Sequence, residues 1–297
     1  MLLLTYLLMS LTVLSQKAAS FILVNRKTNL PIPFATVKLL HTKSGSYSDE
    51  KGIFNLVCNA TDTLLITSVE FVPFTVALSN IANDTVFLEP RIRQLDPVMA
   101  KHKKLIGKIE FGIKGIRDLS WGASGMGEEF AQLFLLPADT STVFKLKRVS
   151  IPSKGFNPTS PAVLHVYSVN ANTGLPGEEL LQNRYFITKQ NFKNKNFIID
   201  LDAENLFIHE KNIFVSCEFL GSTESKITKS GFPTTVYMTY SMPEVFTFSR
   251  SLLQPRYSWF PFKTSQGGKG SLIPANTMFS IEVEQYKLET KTREKAY

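Results

Sequence analysis

The sequence predicts an all-β protein made of two consecutive β-sandwiches, and three observations lead to this prediction. The chain has 23 Phe and 9 Tyr among its 297 residues, and aromatic and β-branched residues favour the pleated, half-buried surface of a sheet. Short apolar runs with a period of two residues recur between clusters of turn-forming residues. No segment shows a sustained helical period. The length is sufficient for two domains that each bury a core of their own.

The composition is that of a basic globular protein. Apolar residues make up 43% of the chain and charged residues 20%, which excludes a disordered or fibrous protein. The formal net charge is +8, and part of the excess is concentrated in residues 101–104 and 287–295. Nucleic-acid binding would need basic side chains interleaved with stacking aromatics. Because no such pattern is present, we expect a solvated basic surface and no nucleic-acid partner.

Residues 1–19 have the features of a secretory signal peptide. The apolar run 1–14 is shorter than the roughly 20 residues of a transmembrane helix, and small and polar residues follow it. We expect cleavage near Gln16 or after Ala19, and export to the periplasm, the outer membrane or the medium. The alternative is an uncleaved N-terminal anchor, because no Lys or Arg precedes the apolar run. No later stretch is apolar enough to span a bilayer.

Residues 20–90 predict a small β-sandwich with closely spaced turns. Turns are expected at 25–29, 44–46 and 48–52, where Gly52 is free to adopt a positive φ. Asp49 and Asp62 are expected to cap turns through nearby backbone N–H groups and not to bind a metal. The strands are expected at 21–24, 35–40, 53–57, 63–69 and 85–88.

The order of these motifs resembles the carboxypeptidase regulatory-like domain. The resemblance lies in residues 28–37, 48–54 and 62–66, and the segment 88–98 is similar to the exit strand of such domains. It implies a transthyretin-like β-sandwich without catalytic residues, a module of exported proteins in Bacteroidetes-type bacteria. The chain departs from the family at Asn29 and Phe34, where Gly is usual. We expect these departures to change the turn geometry and to preserve the fold.

A basic linker, 91–104, is expected to join this domain to a second β-sandwich of jelly-roll type at 105–286, followed by a basic tail at 287–297. Short motifs of the second domain are similar to jelly rolls that resemble carbohydrate-binding modules, namely 164–167, 173–177, 180–181, 200–201, 213–215 and 218–219. This second resemblance implies a fold and no particular ligand. The strands are expected at 130–136, 144–151, 162–169, 197–201, 211–219, 236–240 and 278–284.

The residue types that carry catalysis are not grouped in the sequence. The four histidines, among them His165 in the middle of a strand, have no metal-binding spacing. The doublets Glu128–Glu129 and Glu178–Glu179 would point to opposite faces of their strands. Cys58 and Cys217 each alternate with apolar residues and are expected to be buried thiols. We therefore expect no enzymatic activity, no metal and no cofactor.

Aromatic residues near the end of the second domain are the candidate ligand-binding residues. Tyr257 and Trp259, with Arg256 beside them and Trp121 elsewhere, offer the flat apolar area and polar edges that hold sugar rings. The alternative is that these rings fill the core. The chain is therefore interpreted as a structural or interaction protein of the cell envelope, with a carbohydrate-binding protein as the alternative. Exposed aromatics on one face would favour the alternative, whereas converging carboxylates or histidines in a cleft would indicate an enzyme.

Overall fold

A computed structural model describes residues 17–41, 44–92, 103–122, 127–137, 141–155, 161–209, 212–220, 235–253, 258–265 and 271–288. The predicted all-β class is confirmed, since strands account for 58% of the described residues. The helical elements in these ranges are short 3-10 turns at Leu78–Asn80, Lys189–Asn191 and Asp202–Glu204. None of the described helices has the length and apolarity needed to cross a membrane. The chain divides into two compact units, the first with residues 1–91 and 253–255 and the second with residues 92–252 and 256–297.

In the described part of the first unit, the strands form two sheets. One has the strand order β4-β1-β7, with β1 antiparallel to β4 and parallel to β7. The other has the order β3-β2-β5-β6. The strands are β1 (Lys17–Asn25), β2 (Thr36–Leu39), β3 (Gly45–Tyr47), β4 (Ile53–Cys58), β5 (Thr63–Thr67), β6 (Phe74–Ala77) and β7 (Thr85–Leu88).

The core of the first unit lies between these two sheets. Every second residue of β4 is buried, and the Phe54 ring stacks on that of Phe21 with centroids 5.2 Å apart. Buried residues of the other sheet, such as Val37 and Ile66, belong to the same apolar cluster. Burial of side chains of this size is worth about 1.5–3 kcal/mol each. Cys58 is buried in this cluster, as predicted.

The predicted turn chemistry of the first unit is largely confirmed. Asp49 Oδ1 accepts hydrogen bonds from the backbone N–H groups of Lys51 and Ile53, both at 2.8 Å, and Gly52 has φ = +75°. Asp62 Oδ2 accepts one from the backbone N–H of Asn59 at 2.8 Å. The carboxylates therefore cap turns.

The turn predicted at 44–46 is wrong, because Gly45 to Tyr47 form strand β3 and pair with β2. Pairing with β2 buries the Tyr47 ring, and this packing outweighs the turn preference of Ser-Gly-Ser.

The two positions where the chain departs from the resembled family keep the backbone conformation that glycine favours. Asn29 has φ = +56° and Phe34 has φ = +54°. Asn tolerates this left-handed region because its short side chain bonds locally, whereas a bulky side chain such as Phe pays a steric cost there. The fold therefore retains a strained backbone at Phe34.

Strand β1 begins inside the expected signal peptide. Residues 1–16 lie outside the described part of the chain, but Lys17, Ala18 and Ala19 pair with Cys58, Val57 and Leu56 of β4. Cleavage after Gln16 would leave β1 whole, whereas cleavage after Ala19 would remove three paired residues. The pairing therefore favours the first of the two predicted positions.

The described residues of the second unit form two large sheets and two small ones. The seven-stranded sheet has the order β13-β12-β18-β10-β20-β21, with β14 also on β12, and the six-stranded sheet has the order β15-β16-β11-β25-β8, with β17 also on β11. The small sheets are β24-β19-β9 and β22-β23.

The strands of the second unit follow the chain in this order: β8 (Lys103–Gly112), β9 (Leu119–Gly122), β10 (Glu128–Leu135), β11 (Thr142–Pro152), β12 (Ala162–Val169), β13 (Pro176–Glu179), β14 (Tyr185–Ile187), β15 (Phe192–Lys193), β16 (Asn196–Asp200), β17 (Phe207–Ile208), β18 (Asn212–Phe219), β19 (Thr235–Thr239), β20 (Thr247–Ser251), β21 (Phe260–Pro261), β22 (Lys263–Thr264), β23 (Ile273–Pro274), β24 (Asn276–Thr277) and β25 (Ser280–Leu288).

Each large sheet buries an apolar face. Leu164, Val215 and Phe130 lie on one face of the seven-stranded sheet, and Leu146 and Val283 are buried in the six-stranded sheet. One polar side chain forms hydrogen bonds between the two sheets. Gln132 of β10 donates from Nε2 to the carbonyl of Phe279, the residue that precedes β25, and accepts at Oε1 from the N–H of Phe279.

Most of the strands expected in the second unit are present with small shifts at their ends. Ala162–Val169 has the predicted bounds, and β10 and β11 each start two residues earlier than predicted. β8 begins at Lys103, in the expected linker, and β25 ends at Leu288, in the expected tail.

Candidate functional site

A cluster of buried charged and polar side chains lies on the second face of the seven-stranded sheet, and we call it the polar cluster. The register brings these side chains together, because Glu129 is opposite both Glu218 and Arg250, His165 is opposite Ser216, and the neighbouring Tyr167 is opposite Glu179. Residues opposite each other on adjacent strands point to the same face. The members of the polar cluster are Glu129, His165, Tyr167, Glu179, Ser216, Glu218 and Arg250.

His165 is held between two carboxylates. Its Nδ1 lies 2.6 Å from Glu179 Oε2 and its Nε2 lies 2.9 Å from Glu218 Oε2. Burial alone would lower the pKa of His165, but the charge of Glu179 and the hydrogen bonds to both carboxylates outweigh burial and raise this pKa to about 10. His165 is therefore an imidazolium at neutral pH, with both ring nitrogens donating.

Glu179 also fastens the loop that follows its strand. Its Oε1 accepts the backbone N–H groups of Val166 and Leu181, both at 3.1 Å. One carboxylate therefore joins the backbone of β12, the chain after β13 and the ring of His165. Such a residue fixes local structure as well as charge.

Glu129 is the centre of the other half of the polar cluster and has no exposed surface. Its Oε1 accepts hydrogen bonds from the hydroxyl groups of Tyr167, at 2.9 Å, and Ser216. Its Oε2 forms an ion pair with Arg250, with Nε and one terminal nitrogen each at 2.7 Å. The same guanidinium donates to the Tyr167 hydroxyl oxygen at 3.0 Å. The buried carboxylate is thus neutralised by a cation and bonded to two hydroxyl groups, as a buried charge requires.

Trp259 covers the Arg250 side of the polar cluster. The Arg250 guanidinium carbon lies 4.2 Å from the centre of the Trp259 ring, and the Tyr167 ring meets Trp259 edge-on with centroids 6.1 Å apart. Trp259 is half-buried and packs with Ala131, Tyr167 and Phe214. A cation over an indole face is worth about 0.5–2 kcal/mol. Trp259 is therefore held by contacts with Arg250 and Tyr167, with part of its surface still exposed.

The arrangement of the polar cluster does not match that of a nucleophilic active site. A hydrolytic triad needs a serine hydroxyl bonded to a neutral imidazole that accepts its proton. Here the Ser216 hydroxyl donates to Glu129, and both nitrogens of His165 face carboxylates. Cys217 points to the opposite, apolar face of its strand, where burial raises the pKa of its thiol. Within the described ranges, no group of three or more His, Cys, Asp or Glu side chains is arranged to hold a metal ion.

The candidate ligand-binding residues from the sequence do not form one surface. Trp259 lies beside the polar cluster, whereas Trp121 on β9 packs edge-on against the Phe262 ring, with centroids 5.4 Å apart. Phe262 in turn meets the buried Phe130. Trp121 is thus part of an aromatic packing group. Arg256 and Tyr257 lie outside the described residues.

Sequence reasoning missed the polar cluster although its signal was present. It treated His165 as an isolated residue, and it noted only that the two members of each glutamate doublet would point to opposite faces of their strands. One member of each doublet, Glu129 and Glu179, faces the cluster, as the alternation of a strand requires. The signal was a set of polar residues at alternating positions of strands that are otherwise apolar, but finding it required the order and register of five strands.

Comparisons with known proteins assign no function to the polar cluster. No protein-family model and no curated protein matches the chain. Among solved structures, the VP2 subviral particle of infectious bursal disease virus is similar at 10% identity with a TM-score of 0.27, over 93% of this chain and 65% of that chain. The Gt strain of the same virus is similar at 10% identity with a TM-score of 0.26, over 91% of this chain and 64% of that chain. The chain thus spans slightly less than two thirds of each viral chain, and TM-scores of this size carry no argument about fold or function.

Proposed function

We propose that the protein is a non-catalytic, exported protein of the cell envelope that acts as a structural or interaction module. The observation that carries this proposal is the internal pairing of the polar cluster. The groups that catalysis would use, namely the His165 imidazole and the Ser216 and Tyr167 hydroxyls, already donate to carboxylates of the same cluster. The cluster thus cross-links five strands of one sheet and holds the module in shape.

The proposed export is supported by the N-terminal sequence and by the start of β1. The apolar run ends just before Lys17, the first residue paired with β4. Removal of residues 1–16 would release a chain that begins with a complete strand. The resemblance of residues 28–66 to an exported module of envelope proteins agrees with this destination.

Export is tested by expressing the full chain, with its own N-terminus, in a Bacteroidetes-type host and sequencing the N-terminus of the protein in each cell fraction. We expect envelope or medium fractions to contain protein that begins at Lys17. Leu7→Arg together with Leu8→Arg interrupts the apolar run and should retain the chain in the cytoplasm. Unmodified protein that begins at Met1 in the cytoplasm of the wild-type strain would reject the proposal.

The non-catalytic role is tested through the polar cluster itself. His165→Gln should lower the stability of the fold and leave partner binding unchanged in samples that remain folded. An enzymatic activity abolished by His165→Gln at unchanged melting temperature would contradict the proposal, because it would show the imidazole to be a reacting group.

Carbohydrate binding is a second candidate, favoured by the fixed and half-exposed ring of Trp259. A rigid aromatic plate with polar neighbours is the kind of surface on which sugar rings stack. Trp259→Ala should weaken binding in a glycan array and in calorimetry about two- to tenfold, since an aromatic contact is worth roughly 0.5–1.5 kcal/mol. Phe260→Ala is the matched control, because Phe260 is the adjacent residue and is 39% exposed. Folded protein that binds no glycan would eliminate this candidate.

A further inference from the structure

The outer edge of the six-stranded sheet of the second unit is open in the described part of the chain. β8 forms this edge, pairs with β25 on one side, and has no described strand on the other. It is ten residues long. An edge strand of this length presents a row of backbone N–H and C=O groups to any strand of suitable register.

A β-bulge divides this edge into two parts. Leu105 is opposite Tyr286 and Gly107 is opposite Gln285, so Ile106 has no partner on β25. The part before the bulge carries Lys103 and Lys104, and lysines and bulges both discourage pairing at an edge. The part after it, Gly107 to Gly112, has an unbroken register with β25. Only this second part is suited to accept another strand.

The side chains of Gly107 to Gly112 alternate regularly between the two faces of the sheet. Lys108 and Glu110 are exposed, while Ile109 and Phe111 are half-buried. The Phe111 ring meets Phe144 edge-on on the inner face. The Lys108 ammonium lies 3.6 Å from Glu284, and its side chain remains 60% exposed. One face of the segment is thus apolar, and the other carries one charge of each sign.

We propose that two copies of the protein associate by antiparallel pairing of this segment, with the two-fold axis at Ile109. In this register Lys108 of each copy lies opposite Glu110 of the other, and Ile109 lies opposite its counterpart. Gly107 lies opposite Phe111 and leaves room for its ring, because a side chain at Gly107 would meet no atom within 4 Å. Moving the axis to Lys108 or Glu110 would place like charges opposite each other, which is unfavourable. The charges of the segment thus select one self-complementary register, as a two-fold interface requires.

This inference goes beyond the proposed function and is independent of export and of glycan binding. Its first test is the mass of the purified protein as a function of concentration, measured by light scattering after size exclusion. We expect a dimer at high concentration that dissociates on dilution. A monomer throughout, up to millimolar concentration, would overturn the proposal.

The register is tested by cysteine cross-linking at the two exposed positions. A mixture of Lys108→Cys and Glu110→Cys proteins should form a disulfide-linked heterodimer, because these positions are opposite each other. Neither variant alone should cross-link, since identical positions are diagonal, about 7–8 Å apart, which is too far for a disulfide. The native Cys58 and Cys217 are buried and contribute no background. A disulfide-linked dimer of either variant alone would refute this register. The absence of a disulfide-linked heterodimer in the mixture would refute it as well.

Charge reversal provides a test without cysteines. Glu110→Lys places two lysines opposite each other at two symmetric sites, and should weaken dimerisation about tenfold, since such pairs are worth about 0.2–1 kcal/mol each. Lys108→Glu combined with Glu110→Lys restores the opposite charges and should restore the dimer. Glu178→Lys, at an exposed position of the other large sheet, is the control. A dimer that responds to none of these changes would have a different interface.

Discussion

The pH dependence of stability should report the charge of His165. This imidazole lies between Glu179 and Glu218, and its pKa is raised from about 6.5 to about 10 in the folded protein. In an unfolded chain the pKa returns to about 6.5. A group with a raised pKa stabilises the fold in full below the unfolded pKa, and this contribution is lost as the pH rises through the folded pKa. Stability should therefore fall between about pH 6.5 and pH 10.

The size of the effect follows from the two pKa values. A difference of about 3.5 pH units at 1.36 kcal/mol per unit corresponds to about 5 kcal/mol. The slope is about 1.4 kcal/mol per pH unit within the window. This amount is a large part of the 5–15 kcal/mol that is typical of a folded domain.

The assay is urea unfolding of the wild type and His165→Gln at several pH values from 6 to 10.5. Other groups titrate in both proteins, so the difference between the two curves isolates His165. We expect the wild type to lose its advantage over His165→Gln as the pH rises. His209→Gln is the control, because His209 is exposed and should follow the wild-type curve. Parallel curves for the wild type and His165→Gln would refute the assignment of a charged, doubly bonded imidazole.

Three further substitutions test other parts of the fold by chemical denaturation and hydrogen exchange. Glu129→Gln removes the anion that neutralises Arg250 and should lower the free energy of unfolding by about 3–5 kcal/mol. A loss below about 0.5 kcal/mol, the usual range of a surface substitution, would contradict the central role of Glu129. The Glu204 carboxylate accepts hydrogen bonds from the backbone N–H groups of Gln182 and Asn183 and from the hydroxyl of Tyr185. Glu204→Ala removes this acceptor and should lower the free energy of unfolding by about 1–3 kcal/mol. Unchanged amide exchange at residues 182–183 would argue against this role of Glu204. Gly52→Ala brings a Cβ 2.7 Å from the Leu23 carbonyl oxygen, whereas a Cβ at Gly174, which has a similar positive φ, would meet no atom within 4 Å. Gly52→Ala should therefore lower the free energy of unfolding more than Gly174→Ala does. Equal losses of stability would show that the effect comes from backbone strain alone and not from the close contact.

The strands could be predicted from the sequence because alternation is a local property. β12 was predicted with its observed bounds, since six of its eight residues are apolar and clear turn signals flank it. β20, Thr247 to Ser251, was missed because three of its five residues are Ser or Thr and its burial arises from the neighbouring β10. The side-chain pattern of such a strand does not reveal its position in a sheet.

The polar cluster could not be predicted, because it depends on which strands are neighbours. Glu129 and Arg250 are 121 positions apart, and their ion pair exists only because β20 follows β10 in the sheet order. The same holds for the pairing of His165 with Glu218. Reading single strands correctly predicted that Cys217 is buried, since that depends only on its own alternation. Contacts between strands that are distant in the sequence can be predicted only when the order of the strands in the sheet is known.

The position of β1 in its sheet has a consequence for how the first unit is assembled during synthesis. The earliest described strand is the middle one of the three described strands of its sheet, and its parallel neighbour β7 ends at Leu88. Until that point has left the ribosome, β1 has only β4 as a partner, and a two-stranded ribbon is barely stable in water. Pairing of β1 with β4 therefore adds little stability before β7 is synthesised. The three-stranded sheet is completed only then, although its middle strand is the earliest of the described strands.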